Sequence, residues 1–303
     1  MKKFLSIALA LLMVCVMLPV VALAAEKTAS TYEELKSAIS TANDGDTIKL
    51  LADIDLSQTI TVNKTITLNM NGKKLYNTSD LWDKPTAEAN NWSLISVRGS
   101  GNLTITGNGT FAAKENDCYA VDVQESATVT IKNGTFIGNI HAVYVFAGTA
   151  NVEGGTYSVQ QKYPDSAKGD EFVLNCYDAN RANGTARINV TGGTFKNFNP
   201  ADNKAEGEGN NFADNSLVVQ KNNTVQNNDY YVGNAANEVI AAASKGEEIF
   251  VLNGTTLTNV PAGVIIQNRT GDRITVNGKD VELTGDAGYT VPASNITIIV
   301  PGD

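Results

Sequence analysis

Two segments in the middle of the chain place aromatic and amide side chains at matched positions. Residues 119–124 (YAVDVQ) and 141–146 (HAVYVF) start 22 residues apart, and both alternate valines with polar or aromatic residues. This alternation is typical of a strand with one buried face, so the valines are predicted to point inward. A further segment of the same kind adds two more outward residues. The side chains predicted to share one outward face are Asp122, Gln124, Tyr144, Phe146, Asn175 and Tyr177.

Such a face has the chemistry needed to recognise a polyhydroxylated ligand. Aromatic rings stack on the C–H groups of a sugar ring, while amides and carboxylates bind its hydroxyl groups. Two or three outward rings flanked by Asn, Asp and Gln therefore predict a carbohydrate-binding face. The alternative is that two long polar insertions, residues 160–170 and 200–215, fold over these rings.

The same stretch offers little for catalysis. His141 is the only histidine in the chain and has no identified partner, so it is interpreted as the start of a strand at the position that Tyr119 holds earlier. No arginine lies in a motif with paired acids, and no specific carboxylate pair stands out. We therefore predict no catalytic residue, no metal ligand and no cofactor. Calcium is the one ion left open, with Asp122 as the residue that could help to bind it, although an outward, solvated Asp122 is favoured.

A repeat predicts the scaffold that positions these residues. Each copy is a short strand, a tight Asn/Gly-Gly turn and a Thr-aromatic pair, and the copies begin 25, 21 and 38 residues apart. The four copies are residues 104–111, 129–136, 150–157 and 188–195, with Gly109, Gly134, Gly155 and Gly193 at the shared turn position. Short strands at this period, without helices between them, predict a solenoid of stacked coils. A β-sandwich is the alternative.

Both ends of the predicted solenoid have a helix followed by a strand. Near the N-terminus, residues 33–42 have a helical pattern and 47–51 form the first predicted strand; such a helix would cover the open end of the solenoid. Near the C-terminus, residues 237–244 and 249–252 repeat this order after a polar, loop-like stretch at 221–228. The predicted organisation is a signal peptide at 1–24, a solenoid at 25–228 and a small β-rich cap unit at 229–303.

The first 24 residues have the order of a secretory signal. Lys2 and Lys3 precede an apolar run over residues 4–21, and Ala22-Leu23-Ala24 provides a cleavage site after Ala24. A retained membrane anchor is the alternative. We expect a protein that is secreted or held at the outer cell surface, with no membrane insertion after cleavage. The formal charge of -9 and the absence of a basic run argue against nucleic acid as a partner. The oligomeric state is left open.

The chain resembles the right-handed parallel β-helix proteins of the pectin-lyase-like superfamily. It is most similar to secreted, Asn/Gly-rich β-helix proteins of gut bacteria and their phages. The resemblance covers about residues 30–230 and is carried by the helix-then-strand opening at 33–51, by the Asn/Gly-Gly-Thr-aromatic repeats, and by residues 171–180 and 191–200. It implies an all-β, right-handed parallel β-helix with an N-terminal helical cap.

The resemblance implies less about activity, because the superfamily contains lyases, hydrolases, adhesins and modules with no known chemistry. Its hydrolases carry Asn-Thr-Asp, Asp-Asp and Gly-His-Gly strings, none of which occurs here. We therefore expect non-catalytic, adhesin-like recognition of a polysaccharide or glycan. The alternatives are a polysaccharide lyase or glycoside hydrolase of this superfamily, and a structural spacer or phage-type appendage module.

Overall fold

The computed structural model describes residues 24–82, 92–161, 172–201, 212–213, 216–224, 227–282, 284–285 and 287–293. The predicted signal peptide, apart from its last residue, and most of both polar insertions lie outside these residues. Within them the chain is mostly β-strand, arranged in long parallel sheets, as the sequence predicts. The helices are Tyr32–Ser40 (α1), Asp178–Ala182 (α2) and Asn234–Ala242 (α3).

The first part of the chain forms short strands, most of them three to five residues long. In chain order they are Glu26–Ala29 (β1), Thr47–Leu50 (β2), Ile54–Asp55 (β3), Ile60–Val62 (β4), Thr65–Asn69 (β5), Lys74–Tyr76 (β6), Ser93–Val97 (β7), Asn102–Thr106 (β8), Thr110–Ala112 (β9), Tyr119–Val123 (β10), Thr128–Ile131 (β11), Thr135–Gly138 (β12), Val143–Val145 (β13), Gly148–Val152 (β14), Thr156–Val159 (β15), Leu174–Cys176 (β16), Ala186–Val190 (β17) and Gly193–Lys196 (β18).

From β2 onward the chain visits three sheets in a fixed order. Sheet A contains β1, β2, β5, β8, β11, β14 and β17; sheet B contains β3, β6, β9, β12, β15 and β18; sheet C contains β4, β7, β10, β13 and β16. Every pairing among these strands is parallel. We call one passage through A, B and C a coil. Each coil lies beside the next at about 4.8 Å, the ordinary strand spacing.

Helix α1 begins at a capped N-terminus. The hydroxyl of Thr31 accepts a hydrogen bond from the backbone N–H of Glu34, whose carboxylate in turn accepts the N–H of Ser30. Its buried residues Leu35 and Ile39 join the apolar core. One expectation was wrong here, because β1 precedes the strand predicted to be first and pairs with it. In β1 only Ala29 is buried, so the segment lacks the alternation that identifies a strand.

A column of aromatic rings runs through the interior behind sheet B. Phe111, Phe136, Tyr157 and Phe195 come from four successive coils, and neighbouring ring centroids are 4.8, 5.1 and 5.0 Å apart with nearly parallel planes. All four side chains are fully buried. The hydroxyl of Tyr157 donates to the carbonyl of Gly154 at 2.6 Å, so this buried polar group is paired. The repeated aromatic position thus lines the core.

The turn before each of these rings needs glycine. Gly134, Gly155 and Gly193 have φ angles of 118°, 103° and 124°, which other residues rarely adopt. Gly109 in the first copy does not share this conformation, although it was predicted to be equivalent.

The first copy differs because its turn is one residue longer. Ile105 pairs with Ile131 in sheet A, and Phe111 pairs with Phe136 in sheet B. Phe111 lies six positions after Ile105, whereas Phe136 lies only five positions after Ile131. The positive φ therefore falls on Gly107 and its neighbour Asn108, whose φ angles are 90° and 52°. The first copy therefore aligns with the others at its aromatic residue, but the strand before its turn is displaced by one residue.

After β18 the chain reverses direction. Val218–Thr224 (β19) and Asn227–Val232 (β20) form an antiparallel hairpin, and β20 pairs with the last strand of sheet B. The expectation of a loop at 221–228 was therefore wrong for residues 221–224 and 227–228, the part of this stretch that the structure describes. This stretch is almost entirely polar, and it is held by backbone pairing that composition does not reveal. The predicted division after residue 228 falls inside β20.

The remaining strands continue sheet B or form a small sheet D. Glu248–Asn253 (β21) pairs with β19, and the other strands are Thr256–Leu257 (β22), Ile265–Asn268 (β23), Ile274–Val276 (β24), Lys279–Val281 (β25) and Tyr289–Thr290 (β26). Sheet D contains β22, β24 and β25, while β23 and β26 extend sheet B. A second apolar cluster lies here, with α3 contributing Ala236 and Ile240.

The close contact between coils makes a prediction about Gly192. A Cβ atom there would clash with the carbonyl oxygen of Glu153 in the preceding coil, whereas a Cβ atom at Gly72 meets no atom within 4 Å. We expect Gly192→Ala to lower the free energy of unfolding by about 2–4 kcal/mol, because two coils must separate. Gly72→Ala, which adds only the strain of a positive φ, should cost about 1 kcal/mol. Urea unfolding followed by circular dichroism measures both, and equal losses would contradict the close packing of these coils.

Candidate ligand-binding face of sheet C

The outer face of sheet C carries a row of side chains that crosses the strands at one register position. We call it the Asp122 row, and its members are Thr61, Ser96, Asp122, Tyr144 and Asn175. The valines on either side of Asp122 and Tyr144 are fully buried in the core, as predicted. The two sets therefore lie on opposite faces of the sheet.

A second row lies two residues further along each strand. We call it the Gln124 row, and its members are Arg98, Gln124, Phe146 and Tyr177. The backbone N–H of each donates to a carbonyl of the preceding coil at 2.8–2.9 Å, which keeps the four residues in line. The six residues predicted from the sequence therefore occupy neighbouring places in these two rows. Their role in binding stays a prediction.

Asp122 and Gln124 were predicted to be exposed, and this was wrong. Both are buried, with exposed fractions of 0% and 5%. The Asp122 carboxylate accepts hydrogen bonds from Nε2 of Gln124, at 2.8 and 3.0 Å, and from the hydroxyl of Ser96 at 3.0 Å. Alternation predicts the direction of a side chain, but not the neighbours on the same face that cover it.

Burial changes the acidity of this carboxyl group. Removal from water raises the pKa of Asp122 from 3.8 to about 6, and the hydrogen bonds from Gln124 and Ser96 oppose this rise only in part. Above that pH the carboxylate is ionised and accepts hydrogen bonds. Its oxygens already face N–H and O–H donors, which is unlike a cation site. Among the described residues no group of three or more His, Cys, Asp or Glu side chains could hold a metal ion.

Phe146 and Tyr177 form an exposed pair of rings. Their exposed fractions are 37% and 44%, and their centroids lie 4.9 Å apart with the planes inclined at 28°. One face of each ring is thus directed at its partner, and the outer faces and edges are left for other contacts. The side chain of Asn180 in α2 donates to the carbonyl oxygen of Phe146 at 2.6 Å and connects α2 to this strand end.

A cluster of rings lies at the other end of the same strands. Its successive contacts are Trp92–Trp82, Trp82–Tyr119, Tyr119–His141 and His141–Tyr144, with centroid separations of 5.8, 5.2, 4.6 and 5.2 Å. The Trp82 ring is 37% exposed, whereas Tyr119 and His141 are buried. The sequence analysis missed the tryptophans, although the only two in the chain flank one polar stretch, 83–91.

A buried carboxylate holds Trp82 in place. Asp117 accepts the backbone N–H groups of Leu81 and Trp82 at 2.9–3.0 Å, and it also accepts the side-chain amide of Asn77 at 2.6 Å. These partners lie 35–40 residues away in the chain. Asp117 therefore fixes the point at which Trp82 meets the outer face of sheet C.

His141 takes the position of Tyr119 one coil later, as predicted, and it has partners that the sequence did not reveal. Its Nδ1 atom lies 2.8 Å from the carbonyl oxygen of Phe172, and its Nε2 atom lies 3.3 Å from Nδ2 of Asn175. Burial lowers the pKa of His141 to about 4, so the ring is neutral at physiological pH. Because a carbonyl can only accept, the single ring proton belongs on Nδ1.

Neither a family model, nor a curated protein, nor a solved structure matches this chain. The helices in the described ranges are too short or too polar to span a bilayer. The assignment of a function therefore depends on the geometry of the candidate face.

The buried Asp122 predicts an unusual dependence of stability on pH. Its pKa is higher in the folded protein than in the unfolded chain, so its contribution to stability is complete below about pH 4 and is lost as the pH rises through 6. Asp122→Asn removes this titration. The free energy of unfolding of the variant, minus that of the wild type, should rise by about 2 kcal/mol between pH 4 and pH 7. Urea unfolding of both proteins across this range measures it, and a difference that stays constant with pH would refute the burial of an ionising Asp122.

Proposed function

We propose that the outer face of sheet C binds a polysaccharide or glycan without cleaving it, in an adhesin-like protein that is secreted or displayed at the cell surface. The observation that carries the proposal is the clustering of exposed rings. Four large apolar side chains are exposed among the described residues, and three of them, Trp82, Phe146 and Tyr177, belong to this face. Exposed aromatic side chains grouped on one surface favour a binding site over a plain solvated surface.

The polar groups beside these rings suit a sugar ligand. Tyr144 and Asn175 lie between Trp82 at one end of the strands and the Phe146–Tyr177 pair at the other, and Gln124 lies beside Phe146 in its row. The rows cross successive coils at about 4.8 Å, which is close to the length of one pyranose unit. A glycan chain lying along a row would therefore meet a new side chain at each sugar.

A lyase or hydrolase of the pectin-lyase-like superfamily is the second candidate. It is favoured by Asp122, whose pKa of about 6 suits an acid–base group and which lies near the guanidinium of Arg98. Against it, the carboxylate is fully buried and its oxygens are bonded to Ser96 and Gln124. Recognition needs no access to this group, so it is the better proposal.

The same proposal includes the finer description of the fold. The fixed order of sheets A, B and C and the purely parallel pairing support a right-handed β-helix of the pectin-lyase-like kind, because parallel crossovers are right-handed in about 98% of cases. The position of α1 against the first strands supports an N-terminal cap. Secretion rests on the signal-like residues 1–24.

A glycan-array screen of residues 25–303, with and without calcium, tests the function. We expect binding to at least one polysaccharide without release of unsaturated or reducing ends. Phe146→Ala and Tyr177→Ala should each raise the dissociation constant about tenfold or more, because each removes a ring from the proposed contact.

Tyr76→Ala provides the control, since Tyr76 is a half-buried ring on β6 of sheet B. It should leave binding unchanged. Depolymerisation of any bound glycan would favour the enzyme instead. The absence of binding to every glycan would favour the spacer or appendage module.

A further inference from the structure

The hydrogen bonds of Gln124 leave only its carbonyl oxygen for a ligand to contact. Both oxygens of the Asp122 carboxylate face Nε2 of Gln124, at 2.8 and 3.0 Å. An ionised carboxylate can only accept, so the amide must point its NH₂ end at Asp122. The carbonyl oxygen, Oε1, then points away from Asp122 and has no hydrogen-bond partner among the described residues.

Hydrogen bonds also fix the orientation of the Asn175 amide, through His141 and the carbonyl group of Phe172. The carbonyl of Phe172 requires the proton of His141 to be on Nδ1, which leaves Nε2 as an acceptor. Nδ2 of Asn175 is the donor at 3.3 Å, so the amide is oriented with its NH₂ group toward the histidine. Its Oδ1 atom is buried and finds no partner in the described part of the structure.

Both amides beside the exposed rings therefore direct their NH₂ groups at partners within the protein. Gln124 precedes Phe146 in its row, and Asn175 follows Tyr144 in the other row. What these two amides leave for a ligand is a pair of carbonyl oxygens on either side of strand β13. Oδ1 of Asn175 is a buried acceptor without a donor among the described residues, which is unfavourable, and a ligand O–H or N–H that reached it would remove this cost.

We propose that this face selects neutral glycans rich in hydroxyl or amide N–H donors and discriminates against glycans that carry carboxylate or sulfate groups. The inference rests on the proposed function and names the class of its ligand. An anionic group would bring further acceptors to the two carbonyl oxygens and would lie near the ionised Asp122. The cationic Arg98 in the same row is already paired with Glu125, at 3.7 Å.

The test uses neutral oligosaccharides and oligouronates matched in linkage and length, with titration calorimetry at pH 7.5. We expect the neutral member of a matched pair to bind at least about tenfold more tightly, and an O-methylated derivative of the best neutral ligand, which lacks donors, to lose most of its affinity.

Two variants separate this selectivity from a merely structural effect. Asp122→Asn removes the charge and lets the Gln124 amide take either orientation, so the preference for neutral over uronate ligands should shrink several-fold. Asn175→Leu removes one carbonyl and should weaken neutral binding about tenfold. Asn189→Leu is its control, because Asn189 is exposed on sheet A.

Uronates that bind as tightly as their neutral counterparts, with binding still lost in Phe146→Ala, would overturn the selectivity and leave the proposed function standing. An unchanged ratio of neutral to uronate affinity in Asp122→Asn would also overturn it. The absence of any carbohydrate binding would overturn both proposals.

Discussion

The parallel backbone pairing between successive coils is the constraint on which the rest of this structure depends. It brings residues that are 20 to 40 positions apart in the chain into direct contact at about 4.8 Å. The interior column of Phe111, Phe136, Tyr157 and Phe195 exists because each ring falls at the same register position. A slip of one residue would turn such side chains to the opposite face of the sheet. Glycines at the turns permit this pairing, since backbone there contacts backbone.

The chemistry of the outer face follows from the same register. Ser96, Asp122, Tyr144 and Asn175 come from four coils and meet in one row, although nothing in their local sequence relates them. His141 contacts Tyr119 in the coil before it and Asn175 in the coil after it. The Asp122 carboxylate and the Phe172 carbonyl group can only accept hydrogen bonds. The carboxylate therefore fixes the orientation of the Gln124 amide directly, and the carbonyl group fixes that of the Asn175 amide through His141. The polarity presented to a ligand is thus a consequence of how the coils are stacked.

The stacking itself could be predicted from the sequence, because a repeated turn and a repeated aromatic residue report a repeated local structure. The six candidate residues were placed on one face by alternation alone, and the valines were correctly placed in the core. The longer turn before Phe111 escaped notice because Gly109 and Phe111 align in sequence even though the preceding strand does not.

What could not be predicted depends on contacts between distant segments. The buried Asp122 accepts a hydrogen bond from Ser96 of the preceding coil, and the position of Trp82 comes from Asp117, 35 residues further along the chain. The polar hairpin at β19 and β20 is held by backbone hydrogen bonds, which composition does not indicate. Local patterns therefore reveal where a side chain points, while its exposure and its partners depend on which coil lies beside it.

The most direct test of the register between the coils is nitrogen NMR of His141. The signals need no assignment, because the chain has a single histidine. Two-bond proton–nitrogen correlations reveal which ring nitrogen carries the proton, and a titration gives its pKa. A proton on Nδ1 at neutral pH and a pKa of about 4 are predicted, since the ring is buried between Tyr119 and Tyr144 and donates to Phe172. A proton on Nε2, or a pKa near the ordinary value of about 6.5, would contradict both the register of the coils and the orientation of Asn175.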